Sequence, residues 1–160
     1  MKPYPGKLEK LLQKISLDYG SNAIPDDYLD DYLDAVKCVM GEMNLDSACE
    51  MSHWPDGRVF LNTYTWRNGS KLIPLLMEEL EAGRVTEAVV VANNHCTDAD
   101  WYQPLFNGTM CFTNHENGNT NKGGCFVYFG PNRSKFISEF GQFGNVVEKV
   151  NRRGHYDGNA

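Results

Sequence analysis

Apolar positions along the chain recur with two periods, one helical and one of short extended runs. Residues 7–17, KLEKLLQKISL, place Leu8, Leu11, Leu12 and Ile15 on one stripe with lysines opposite, which predicts a short amphipathic helix. Residues 24–42 repeat that period through Tyr28, Leu29, Tyr32, Leu33 and Val36, a stripe that faces a core. Pro25 and the acids after it suit a helix start, where the helix dipole favours negative charge, and Gly41 suits its stop. A third helix is expected over 70–82 from Leu72, Leu75, Leu76 and Leu80, with Ser70 as its cap, Gly83 as its end and residues 66–69 as the preceding turn.

Between the helical stretches lie strands. MNLDSAC and RVFLNTYT each end in polar residues, and the second is rich in β-branched and aromatic side chains. TEAVVVAN is an apolar run of the kind a strand shows when both of its faces are covered by helices, as in a parallel sheet. Strand, helix and strand in that order predict a crossover. DADWYQPLF reads as a short helix interrupted at Pro104, TMCF and GCFVYFG as strands, residues 133–140 as a last helix and NVVEKV as an edge strand. TNHENGNTNKG, rich in Asn and Gly, reads as a mobile loop.

At 160 residues, with 41% hydrophobic and 12% aromatic side chains, the chain can bury one core of ordinary size. Three parts are expected: an amphipathic helix over 1–22, an α/β domain over 23–150 and a disordered tail over 151–160. Neither a membrane span nor a secretory signal is apparent, so a cytoplasmic setting is expected. The cysteines, Cys38, Cys49, Cys96, Cys111 and Cys125, are odd in number and irregularly spaced, which suits reduced thiols. Cys111, His115 and Cys125 lack the paired spacing of a structural zinc site, and no metal centre is expected. A net charge of −6 argues against a broad basic surface for phosphate contacts, since lysines and arginines cluster only near the two ends.

In open α/β sheets ligands gather beyond the carboxyl ends of strands, which singles out residues 46–49, 62–66 and 93–96. FLNTYTW offers an amide, hydroxyls and aromatic rings suited to hydrogen-bonding and stacking a flat heterocycle. A string of segments in one order, NLDSA, GRVFLNTYT, EAGRVTEAVVVAN, DADWYQPLF and CFVYFG, resembles the phage-type DNA adenine-N6 methyltransferases over residues 24–147.

That resemblance implies a three-layer, methyltransferase-like (Rossmann-like) α/β domain preceded by one or two helices. It also implies S-adenosylmethionine as cofactor, DNA as substrate and a bacterial host cytoplasm. Asp46 and Ser47 match the family's cofactor-contacting step. Asn62, Thr63, Tyr64 and Thr65 occupy its N-P-P-Y loop, and Trp66 offers a further ring for stacking on the base. In the family, the loop's Asn side chain and first Pro carbonyl accept hydrogen bonds from the adenine amino group, and its last aromatic stacks on the flipped base. Here the prolines are replaced and the aromatic position is Thr65, while Tyr64 stands one place early, where an extended chain points it to the opposite face. Residues 50–58 leave too little chain for a crossover and a further strand, since a parallel connection needs about a dozen residues, so the cofactor half is expected to be truncated. Two functions follow: an enzyme acting on DNA, or a catalytically inactive relative that binds a host defence or modification protein through its acidic helix and loops. Homo-oligomerisation through the first helix is a further expectation.

Overall fold

The computed structural model describes residues 26–41, 51–53, 57–63, 66–114 and 124–150. The helix expected over 7–17, the strand expected over 43–49, the tail 151–160 and all but the first two residues of the loop expected over 113–123 lie outside these residues.

Helix α1 runs Asp26–Met40. Tyr32, Ala35, Val36, Val39 and Met40 are buried along it; of the predicted stripe Tyr32 and Val36 are buried and Leu33 half-buried, and the side chains of Tyr28 and Leu29 lie outside the described residues. Gly41 ends it at φ 96°, with its N–H donating to the Lys37 carbonyl. The Arg58 guanidinium donates to the Met40 carbonyl, one of the acceptors a helix leaves unmatched at its end.

Strand β1 (Met51–His53) pairs antiparallel with β2 (Arg58–Thr63), Met51 opposite Leu61 and His53 opposite Val59. Helix α2 spans Trp66–Glu81 and so begins where the sequence suggested a turn, with Ser70 inside the helix and not at its cap. Gly69 within this helix is packed under the indole of Trp101, and a Cβ there would stand 2.6 Å from the ring. Gly83 closes the helix at φ 72°, its N–H donating to the Leu80 carbonyl while that of Arg84 donates to Glu79.

Strand β3 (Glu87–Asn93) lies parallel to β2, the connection through α2 that the sequence predicts. It is buried on both faces: Ala88, Val90 and Ala92 join one core, Val89 and Val91 the other. Two 3-10 turns follow, Asn94–Cys96 and Gln103–Asn107. Pro104 sits in the first turn of the second and does not interrupt a longer helix, a position where its missing N–H costs nothing.

Strands β4 (Thr109–Thr113), β5 (Gly124–Phe129) and β6 (Gly144–Val147) and helix α3 (Arg133–Phe140) complete the described chain. The sheet has six strands in the order β1-β2-β3-β5-β4-β6. Among the described strands β2 and β3 pair in parallel, as the crossover predicts, and the other neighbours pair antiparallel, so the sheet is mixed. Residues 114–123 are too short for a parallel crossover, so β5 returns antiparallel and inserts between β3 and β4.

The layers are α2 with the 3-10 turns, the sheet, and α1 packed with α3. The α1/α3 side is aromatic: Phe126 lies 4.7 Å from Tyr32 and 5.2 Å from Phe140, and Phe136 stacks on Phe140 at 4.4 Å between ring centres. At the amino end of β3, buried Glu87 accepts hydrogen bonds from the Tyr128 hydroxyl at 2.6 Å and the Asn132 amide at 3.0 Å. The Asn132 N–H in turn donates to the Tyr128 oxygen at 2.8 Å, which ties the start of α3 to the sheet.

Glu148 anchors the chain after β6, accepting from the Arg133 guanidinium through both oxygens and from the Thr109 hydroxyl. The hydrogen-bonded Arg133 guanidinium, and secondarily the Thr109 hydroxyl, hold the Glu148 carboxyl below its ordinary value of 4.5, outweighing a partial burial that acts the other way. A depressed folded-state value contributes stability above about pH 4.5 that is lost as pH falls through the folded value. Glu148→Gln is therefore expected to melt below the parent protein at neutral pH, with the gap closing in thermal scans as pH falls below about 4.5.

Candidate functional site

The parallel pair β2 and β3 brings two carboxyl ends to the same edge of the sheet, and Asn62 and Thr63 end β2 there. Both are buried, Asn62 opposite Val91 and Thr63 opposite Ala92. The period of two separates their side chains: Thr63 follows Val59 and Leu61 to the α2 side, and Asn62 follows Phe60 to the α1/α3 side. The Thr63 hydroxyl donates to the Val91 carbonyl at 2.9 Å, so it serves the sheet. Asn62 is the residue of this loop that reaches the strand end as a buried amide, 3% exposed, on a largely apolar face.

Of the other residues singled out by sequence, Tyr64 and Thr65 lie outside the described residues, as do Asp46 and Ser47. Trp66 opens α2, and its side chain is likewise outside them. The structure therefore brings Asn62 and Thr63 together as neighbours and sends their side chains apart.

Beyond β3, the Asn93 carboxamide oxygen accepts from the His95 N–H at 2.8 Å and caps the short turn. His95 is exposed and Cys96 is buried, so the two diverge as adjacent residues do. The resembling segment Trp101, Tyr102, Gln103, Pro104 and Leu105 serves packing: Tyr102 and Leu105 are fully buried on the α2 side. Burial, then the Cys125 thiol beside it, raises the Tyr102 phenol above its ordinary range, and its oxygen has no hydrogen bond of good geometry.

Cys111 and Cys125 lie on neighbouring strands but on opposite faces, Cys111 with α1 and α3 and Cys125 with α2. They cannot share one ion. Burial pushes their thiols up to about 11 and about 12, respectively, so neither supplies a thiolate at neutral pH. Among the described residues no group of three His, Cys, Asp or Glu side chains could hold a metal ion, and no helix is long and apolar enough to cross a membrane.

Asp46 and Ser47, the residues matched to the cofactor step, lie outside the described residues, and the described neighbours of the strand that carries Asn62 are β1 and β3. A cofactor crevice of the Rossmann type opens between strand ends where neighbouring connections diverge. On its outer side β2 meets β1, three residues running antiparallel, so no second parallel strand end flanks Asn62 there. On its inner side the end of β2 is bonded to β3 through the Thr63 hydroxyl.

A feature that the strand-end rule does not reach lies on the far helices. Tyr32, Asp34, Ala35 and Cys38 of α1 face Glu139, Gln142 and Phe143 at the end of α3 across a groove of about 360 Å³. Its sequence signal is the exposed side of α1, where Asp34 and Cys38 stand one helical turn apart opposite the buried stripe.

No family model, curated protein or solved structure matches the chain. The likeness to the phage-type adenine-N6 methyltransferases accordingly rests on the motifs quoted above.

Proposed function

We propose that the chain is a homologue of the phage-type DNA adenine-N6 methyltransferases that has lost methyl transfer and acts by binding a host defence or modification protein. The observation that carries this reading is the edge of β2: a short antiparallel strand stands where a cofactor-binding half would add parallel strands. The altered loop points the same way. Losing both prolines removes two fixed φ values and a rigid carbonyl, and Thr65 supplies no ring to stack on an extruded base. A net charge of −6 favours a protein partner over a phosphate backbone.

One observation favours retained catalysis: Asn62, the family's base-contacting position, stays at a parallel strand end as a buried amide. An enzyme would use it to orient the adenine amino group, with Tyr64 or Trp66 stacking on the base. The two readings part in a methyl-transfer assay with radiolabelled S-adenosylmethionine and DNA of mixed sequence. The expected result is incorporation at the level of a no-protein control, unchanged in Asn62→Ala. Incorporation that Asn62→Ala abolishes would establish the enzyme instead.

A further inference from the structure

We propose that the groove between α1 and α3 is the docking site for a lysine- or arginine-bearing segment of a partner protein. This deepens the binding reading above by naming the surface and the chemistry of what it takes.

The groove has a mixed lining, with the half-buried Phe143 ring at its floor and carboxylates on its walls. Tyr32 and Phe143 meet edge to face at 4.7 Å between ring centres, with Ala35 beside them. Asp34 stands on the α1 wall and Glu139 on the α3 wall. The basic residues of these helices, Lys37, Arg133 and Lys135, are absent from the lining, and Arg133 is engaged by Glu148. The volume of about 360 Å³ is at the low end of the ~300–1,000 Å³ typical of ligand pockets, which suits one or two side chains.

Lysine and arginine have the matching form, an apolar stem ending in a charged head. The stem lies along the half-buried Phe143 ring, which adds attraction for the cation, and the head lies between the two carboxylates. Exposed ion pairs contribute little individually. The carboxylates therefore select the sign of the occupant and speed its approach, while burial of the stem holds it.

The full chain, immobilised, is panned against a displayed random-peptide library, and recovered peptides are measured by fluorescence anisotropy. Recovered sequences are expected to be enriched in lysine or arginine beside apolar residues. Their affinity is expected to fall roughly tenfold in the neutral, near-isosteric pair Asp34→Asn with Glu139→Gln, and to weaken with added salt. Circular dichroism checks that this variant keeps its fold. Because Cys38 lines the groove and is exposed, bound peptide should also slow its modification by a maleimide, read by peptide mass mapping. Failure to recover cationic peptides, or affinity that the neutral pair leaves unchanged, overturns the proposal. Protection of Cys38 by spermidine as potent as that by the peptide overturns it too, in favour of a small-cation site. No arm involves S-adenosylmethionine, so this inference and the loss of methyl transfer fail separately.

Discussion

Phe126→Ala is expected to destabilise the protein by about 3–5 kcal/mol, which is enough to unfold a domain of marginal stability. Phe126 is fully buried at the centre of the α1/α3 side, on a strand paired on both edges. Its ring joins Tyr32 of α1 to Phe140 of α3, so truncation opens a cavity that two separate helices must collapse to fill. Backbone atoms of central strands move little, and the cavity stays largely open. Urea denaturation followed by circular dichroism measures the loss. A change below about 1 kcal/mol would mean that the aromatic layer does not hold α1 and α3 to the sheet.

Glu87→Ala is expected to cost about 1–3 kcal/mol by a different route, leaving the buried Tyr128 hydroxyl without its acceptor. Glu87 is 6% exposed and accepts from both Tyr128 and Asn132. Without it the Tyr128 hydroxyl, buried in the same layer, loses its acceptor, and the Asn132 amide keeps only the Val39 carbonyl at 3.2 Å. Tyr128→Phe alone should also destabilise. The double variant Glu87→Ala with Tyr128→Phe should cost less than the sum, because each single change strands what the other removes. Strict additivity in a double-mutant cycle would show that the hydrogen bond contributes nothing beyond its separate ends.

Much of this architecture is legible in sequence where period and local chemistry agree. The stripe through Tyr32 and Val36, the glycine stops at Gly41 and Gly83, and the unbroken run of β3 need only residues within a few positions of one another. The start of α2 was not legible, because Gly69 and Ser70 read locally as a turn and a cap, and the Trp101 ring that packs on Gly69 arrives from beyond β3. The sense of the strands after β3 is not legible in sequence for a related reason. An apolar run records that both faces are covered and says nothing of the direction of its neighbours, which the length of the β4 to β5 connection decides.

The candidate site divides in the same way. That Asn62 ends a strand follows from FLNTYT, and that Thr63 turns to the opposite face follows from the two-residue period. The Thr63 bond to Val91 depends on register between strands and carries no signature in either segment. The groove is less legible still, since it exists only where α1 packs against the end of α3. Its walls come from opposite ends of the described chain.

The loss of methyl transfer rests on the edge of β2, and cofactor affinity tests it without knowledge of a DNA site or a partner. S-adenosylmethionine titrated into the purified protein in a calorimeter is expected to give no binding heat up to millimolar cofactor. Binding near micromolar, about −8 kcal/mol, would contradict the proposal and return Asn62 to a working active site.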